Sequence, residues 1–249
     1  MRAIWTIAKR EVFSFFASPV AYVVMTAWLL WCGFSFYLLA EYFAAQPIGG
    51  GSQDSPLTAF FGQTSLFYFP LLIFVPVFTM RLIAEERHRG TLELLMTAPV
   101  DEVSVVLGKY LAGIVFWCVL WLPTLLYVWL TSRFGDVDLG VVSATYAGVF
   151  GIGLYYLAIG VLMSALAPNQ IIAAILTFLT LGALFVAGLG SFVFEDQARE
   201  VFAYISIWGH MEAFSHGIVD SRYLTFDVTV AALCLALAVG VLQLRRVEG

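Results

Sequence analysis

Long apolar blocks separated by short polar interruptions dominate this sequence. A helix needs about 20 mostly apolar residues to cross a bilayer, and six stretches qualify: 20–40, 60–80, 110–130, 143–166, 171–194 and 228–244. Pro70 and Pro76 interrupt the second stretch, which is tolerable where neighbouring helices satisfy the freed carbonyls. The six stretches contain no Asp, Glu, Lys, Arg or His. The pattern predicts an all-α polytopic membrane protein, with six transmembrane helices in one domain that covers residues 1–249.

Three polar segments between these stretches have different patterns. Residues 1–19 predict an amphipathic interfacial helix with a turn at Ser18-Pro19, and a plain basic anchor is an equally good interpretation. Loop 46–55 contains three consecutive glycines and is predicted to be flexible and extracytoplasmic. Segment 195–225 mixes polar and aromatic residues and is too polar to span the membrane. We expect it to form an outer interfacial or re-entrant segment that includes His210, Phe214, Gly217 and Asp220.

The composition indicates that most of the chain is surrounded by lipid, and the placement of the basic residues indicates its orientation in the membrane. The chain is 61% hydrophobic and 12% charged, whereas soluble domains carry about 25% charged residues. If the N-terminus is cytoplasmic, nine of the twelve Lys and Arg residues face inside, as membrane proteins prefer. Both termini are therefore predicted to be cytoplasmic, in a multi-pass membrane protein.

Few residues in this sequence suggest chemistry. Gly108-Lys109 resembles the end of a phosphate-binding loop, but Val103 and Tyr110 occupy positions that such a loop reserves for Gly and Ser or Thr. His210 and His216 lie six residues apart and diverge on a helix, so packing is favoured over a metal site. The sequence predicts no catalytic site, cofactor, metal or nucleic-acid partner. The lack of ionisable groups inside the stretches also disfavours a proton-coupled secondary carrier.

Small residues recur at close-packing intervals in the fourth and fifth stretches. They are Ala144, Ala147, Gly148, Gly151, Ala183 and Ala187. Such spacing lets transmembrane helices approach closely. Packing within one chain is favoured slightly over packing between two copies.

The most charged stretch, 81–109, lies between the second and third apolar blocks. Residues 81–86 are expected to continue the second span into the cytoplasm, Gly90 to break that helix, and Thr91 to cap a short apolar helix over 92–97. Asp101 is expected to cap the next helix. The short helix is too apolar to be left bare. It either lies on lipid or docks in the cleft of a partner, and physical reasoning alone leaves both open.

The segments "RLIAEERHRGTLELLMTAPV" and "VLGKYL", together with "FFASPVAYVV", "PNQIIAAIL" and "SIWGHMEAFSHGIVD", resemble ABC-2-type exporter permeases of the gliding-motility (GldF-like) type. This resemblance implies a permease subunit that works as a dimer, with a second copy or a related permease, and with a separate ABC ATPase. It also implies an ATPase-coupling surface formed by Glu85, Glu86, Arg87, Gly90, Thr91, Leu92, Glu93 and Leu94. Motility itself does not carry over.

The sequence therefore predicts the transmembrane subunit of an ATP-driven exporter, without enzymatic activity of its own. The alternative is a membrane scaffold that passes ATPase-driven movement to an envelope auxiliary protein without transporting a substrate. Membrane lipid is the remaining expected partner. Because Leu94 and Glu86 lie outside the six stretches, Leu94→Asp and Glu86→Lys are expected to fold and to lose only the ATPase.

Overall fold

The computed structural model describes residues 2–45, 56–63, 65–88, 90, 101–133 and 137–248, and every element in them is helical. The helices are α1 (Arg2–Ala17), α2 (Pro19–Ala44), α3 (Ser65–Thr79), α4 (Ala84–His88), α5 (Glu102–Trp121), α6 (Leu125–Thr131), α7 (Leu139–Leu166), α8 (Gln170–Val193), α9 (Asp196–Ile205), α10 (Ile207–Ser215) and α11 (Ser221–Glu248). A helical turn, Pro56–Thr58, leads into a π-helical turn, Ala59–Gln63. The 3₁₀ turn Leu122–Thr124 joins α5 to α6. Loop 46–55 and the predicted helix over 92–97 lie outside the described residues.

Among the described residues, six helical segments are long and apolar enough to cross a membrane, which confirms the predicted all-α fold with six spans. They are Pro19–Ala44, Tyr68–Arg87, Glu102–Thr131, Leu139–Leu166, Gln170–Val193 and Ser221–Arg246. The third and sixth spans begin before the apolar stretches that start at 110 and 228, because each helix also includes charged residues that precede its apolar stretch. Lys109 and Asp227 are consequently part of spans, although the sequence placed both outside them.

Local capping signals account for several helix starts. Ser18 has extended backbone and precedes Pro19, which suits the first turn of α2. The Asp101 carboxylate accepts a hydrogen bond from the Ser104 amide, which confirms the predicted cap of α5. Asp138 and Asn169 accept from backbone amides in the same way at the starts of α7 and α8. These starts are therefore encoded within a few residues.

Helix α7 lies at the centre of the bundle and is the most buried of the six spans. A Cβ on Gly148 would meet the Phe214 ring at 2.7 Å, and one on Gly153 would meet the Trp117 ring at 2.3 Å. The glycines of α7 therefore permit contacts within the chain, as predicted for this helix. On α8, by contrast, a Cβ on Gly182 would meet no atom within 4 Å, and Ala183 is exposed.

The second span is interrupted at residues 80–83, between α3 and α4, whereas the sequence predicted an unbroken helix through residue 86. The Ser164 hydroxyl oxygen of α7 accepts from the amides of Ile83 and Ala84, at 3.0 Å each. The same hydroxyl donates to the carbonyl of Met80 at 3.2 Å. Since a side chain of α7 replaces the missing helical hydrogen bonds, this break costs little and fixes α4 against α7.

The two ends of the bundle differ. Helices α1 and α4 and the last turn of α11 lie at one end, which we call the α1 end; ion pairs Arg10–Glu86 and Arg246–Glu102 join elements there. Helices α9 and α10 lie at the other end, the α10 end. Helix α10 packs against α7 and the π-helical turn, and Ile207, Met211 and Phe214 are buried. Helix α10 is therefore packed against the bundle, and the outer interfacial or re-entrant position of this segment stays a prediction.

Candidate functional site

The predicted ATPase-coupling residues are only partly described. Glu85, Glu86, Arg87 and Gly90 are placed at the α1 end, whereas Thr91, Leu92, Glu93 and Leu94 lie outside the described residues. Gly90 has φ +69°, a left-handed conformation that favours glycine, and it follows the end of α4 at His88. The predicted helix break at Gly90 is therefore confirmed. Whether these residues contact an ATPase stays a prediction.

Lys109, which is 1% exposed, belongs to a network of four charged side chains. We call it the Lys109 network: Arg10, Glu11, Glu86 and Lys109. The ammonium Nζ of Lys109 lies 3.0 Å from Glu11 Oε1 and 3.0 Å from Glu86 Oε2. The Arg10 guanidinium lies 3.0 Å from the other oxygen of Glu86 and 3.1 Å from Glu11. Two carboxylates thus share two cations, and helices α1, α4 and α5 meet at this point.

The close approach of α1 and α5 explains the sequence Gly108-Lys109. A Cβ on Gly108 would lie 2.8 Å from Ile7 Cβ and 3.1 Å from the carbonyl oxygen of Ile4. Only a glycine at this position lets α1 lie so close to α5. The neighbouring Lys109 then reaches Glu11, one turn further along α1. The dipeptide that resembles a phosphate-loop ending is therefore a helix-packing contact with an ionic anchor.

Two further predicted coupling charges, Glu85 and Arg87, also have partners within the chain. Glu85 Oε2 accepts from Arg81 Nε at 2.8 Å, and Arg81 also donates to the Ser18 hydroxyl at 2.9 Å. Arg87 donates to the carbonyl of Ala167 at 2.9 Å, in the turn between α7 and α8. The short helix α4 is consequently tied to α1, α5, the start of α2 and the α7–α8 turn.

These contacts correct the expectation that Glu86→Lys leaves folding intact. Glu86 faces Lys109, and a lysine there would place two ammonium groups together in a largely buried position. Breaking a buried ion pair by changing one partner costs about 3–5 kcal/mol. The sequence did not show this because one partner of Glu86 is far away in the chain: Arg10 and Glu86 are 76 positions apart.

At the α10 end, the structure places the four predicted outer residues in different environments. His210 and Phe214 are fully buried, and Phe214 packs against Gly148. Gly217 has φ +81°, in the turn that ends α10. Asp220 accepts from the Arg222 amide at 2.8 Å, just before α11. His210 and Phe214 thus anchor α10, and Gly217 and Asp220 shape the turn into α11.

Asp227 is a site residue that the sequence reasoning missed. It is buried on α11, and its Oδ1 lies 3.3 Å from His210 Nδ1. The apolar stretch of residues 228–244 begins one position later, so the window excluded this carboxylate. A carboxylate directly before an apolar stretch, six residues after the span begins at Ser221, is the signal that could have found it. Among the described residues, no cluster of three or more His, Cys, Asp or Glu could hold a metal ion.

Comparison with known proteins gives a family assignment. No curated protein matches the chain. The family model described as "ABC-2 family transporter protein" matches residues 38–242, which covers the described spans from the end of α2 to the last turns of α11. That match extends over most of the 249 residues and includes both ends of the bundle. The chain therefore belongs to the ABC-2 transporter family and is its membrane component.

Proposed function

We propose that this chain is the permease subunit of an ATP-driven ABC exporter, coupled to a separate ATPase subunit at the α1 end. Family membership supports the membrane component, and the basic residues at the α1 end support a cytoplasmic position for it. Both termini are then cytoplasmic, in a bacterial inner membrane. The finer assignment to the gliding-motility type stays a prediction.

The observation that carries this proposal is the set of contacts made by α4. This helix directly precedes residues 91–97, where we place the ATPase contact. The Lys109 network joins α4 to α1 and α5, and Arg87 joins it to the α7–α8 turn. A push on residues 91–97 would therefore reach several spans through short, charge-assisted contacts rather than through a loose loop. That is the mechanical requirement for coupling.

A dimer is the second part of the proposal. One face of α8 is exposed along its length and includes Ile175, Leu179, Ala183 and Val186, with Gly182 beside them. Small residues within an apolar face favour close packing of transmembrane helices. We assign this face to the contact with a second copy or a related permease. Disulfide cross-linking of Ala183→Cys in membranes tests it, and its absence at several neighbouring positions of α8 argues against this face.

The coupling proposal is tested by Leu94→Asp. If residues 91–97 dock in an ATPase cleft, a carboxylate in that apolar contact costs about 2 kcal/mol or more of binding energy. Leu244→Asp is the matched control, because Leu244 is also apolar and is 68% exposed at the α1 end. The measurement is co-purification of the ATPase with folded permease, together with its ATP turnover.

We expect Leu94→Asp to fold, to lose the ATPase and to lose coupled turnover, while Leu244→Asp keeps both. Undiminished ATPase binding by Leu94→Asp contradicts the docking assignment and supports a segment that lies on lipid. The scaffold alternative includes the same ATPase contact, but in it ATP turnover responds to an envelope protein rather than to a transported substrate. Stimulation of turnover by an envelope protein alone, with no response to any cargo, would favour it.

A further inference from the structure

Helix α10 carries a buried histidine whose two ring nitrogens face oxygen atoms. His210 Nε2 lies 2.9 Å from the carbonyl oxygen of Tyr204, and Nδ1 lies 3.3 Å from Asp227 Oδ1. A carbonyl oxygen can only accept, so Nε2 must carry its hydrogen. In a neutral imidazole, Nδ1 is then an acceptor, and it would face a carboxylate oxygen that is also an acceptor. A favourable contact between Nδ1 and Asp227 Oδ1 therefore needs one further proton.

Burial makes that proton important. His210 and Asp227 are both fully buried. Neither oxygen of the Asp227 carboxylate has a hydrogen-bond partner among the described residues. Without the shared proton, a carboxylate would be buried next to a nitrogen lone pair, which is strongly unfavourable. With it, the pair is neutral overall, either as imidazolium and carboxylate or as imidazole and carboxylic acid. The buried state of the pair is therefore the protonated state.

Aromatic side chains of α11 separate the His210–Asp227 pair from an open recess at the surface. Tyr223 and Phe226 of α11 contact the His210 ring, with centroids at 4.3 and 5.6 Å. Together with Tyr204 they also line an open recess of about 740 Å³ at the α10 end. Tyr155 and Tyr156 of α7 interact electrostatically with Asp227. Glu200 and Tyr204 of α9, Asp220 in the turn before α11, and Arg222 and Tyr223 of α11 line the recess. Glu212 of α10 interacts with Tyr223. A proton can reach the pair from this recess once the rings move.

We propose that His210 and Asp227 form a proton-binding site. The pair takes up one proton when α10 packs into the bundle, which we call seating, and it loses the proton when α10 moves away from the bundle, which we call lifting. When α10 lifts and the pair meets water, a carboxyl group is ionised at neutral pH and an imidazole is largely neutral above about pH 6.5. Lifting therefore releases the proton, and seating binds it again. Seating is favoured as the pH falls from 8 to 6. The seated fraction relative to the lifted one changes by at most tenfold per pH unit, because a single proton is involved.

This inference does not rest on ATPase coupling, and its test needs only the purified full chain in lipid nanodiscs. The probe is Ser206→Cys, placed in a chain whose three native cysteines are alanine. Ser206 is 1% exposed at the junction of α9 and α10, so a water-soluble maleimide reacts there only when α10 lifts. Ser221→Cys, at an exposed position, is the control for the pH dependence of thiol reactivity itself.

We expect the labelling rate at position 206, divided by that at position 221, to rise at least severalfold from pH 6 to pH 8. His210→Gln and Asp227→Asn should each remove this pH dependence, and gel filtration confirms that each variant is folded. A ratio that is constant with pH in the unmodified pair overturns the proposal. So does a pH dependence that persists in both variants, or a ratio that follows sodium concentration at constant pH.

Discussion

The two ends of the bundle solve the burial of charge in opposite ways. At the α1 end, the Lys109 network sets two cations against two carboxylates, so every close contact joins a donor to an acceptor. At the α10 end, one imidazole nitrogen faces one carboxylate oxygen, and the contact is favourable only with an added proton. The first arrangement holds at any pH at which lysine and glutamate are charged. The second depends on pH, which suits a contact that must open.

The two ends also differ in how many helices they join. The Lys109 network connects α1, α4 and α5, whereas the His210–Asp227 pair connects only α10 and α11. Several charge-assisted contacts that share atoms hold one another in place, so we interpret the α1 end as a rigid strut. The His210–Asp227 contact shares no atom with another ion pair, so it can break without breaking one. The predictions below test this contrast, from the largest expected effect to the smallest.

The largest effect is expected for Lys109→Glu. This change places three carboxylates together at the crossing of α1, α4 and α5, and it should cost about 3–5 kcal/mol. The measurement is the yield of monodisperse protein and its thermal midpoint in detergent. Adding Glu86→Lys should restore part of the loss, because opposite charges face each other again. A single Lys109→Glu variant with wild-type stability would show that the strut does not hold these helices.

The second effect is expected for His210→Leu, which leaves the Asp227 carboxyl group buried without its imidazole. An unsatisfied buried polar group costs about 1–3 kcal/mol, and we expect a value near the top of that range. The double variant His210→Leu/Asp227→Leu should regain most of the stability, because replacement of a buried pair by apolar groups is often neutral. Thermal unfolding in detergent measures both. Equal losses of stability in the single and double variants would contradict this explanation. They would indicate that the loss comes from altered packing of the side chains rather than from an unpaired Asp227 carboxyl group.

The sequence predicted the features of this fold that depend on neighbouring residues. Six spans follow from long apolar runs, and the cap at Asp101 follows from its position between Pro99 and Glu102, at the start of the next helix. Each apolar stretch was ended at the first charged residue, however, whereas the helices continue past that residue. Asp227 and Lys109 were therefore assigned to the water boundary, although the structure buries both.

The contacts that define the candidate sites depend on residues far apart in the chain. Ser164 caps the start of α4 from a position 81 residues after Ile83, and Glu11 meets Lys109 across 98 positions. No local pattern encodes such pairs, because they result from the packing of α1 and α7 against other helices. The resemblance supplied the family, which the match over residues 38–242 confirms. The ATPase-contact role of residues 85–94 stays a prediction.

A smaller effect is expected for Gly148→Ala, which tests whether shape as well as charge seats α10. The added Cβ would lie 2.7 Å from the Phe214 ring, so α10 must shift or the ring must leave its place. Overpacking of this kind costs about 1 kcal/mol or more. Gly240→Ala, on α11 and outside the proposed dimer face, is the matched control, because its Cβ would meet nothing within 4 Å. It should be neutral or slightly stabilising, since alanine favours helix over glycine.

Thermal midpoints of the two glycine variants measure the difference. The labelling ratio at position 206 adds a second readout, because Gly148→Ala should raise it at every pH while its pH dependence remains. Shape and proton binding would then be independent contributions to the seating of α10. Loss of the pH dependence in Gly148→Ala would instead show that the ring contact aligns His210 with Asp227.

The smallest effect is expected for Arg246→Ala, at the α1 end but outside the Lys109 network. Arg246 pairs with Glu102, and its side chain is 51% exposed, whereas Lys109 is 1% exposed. Exposed ion pairs contribute about 0–1 kcal/mol, because water and salt screen them. The thermal midpoint of Arg246→Ala should therefore differ from wild type by little at low salt and by nothing measurable at high salt. A loss comparable to that of Lys109→Glu would mean that burial does not distinguish the strut from an ordinary surface pair, and the rigidity of the α1 end would then need another cause.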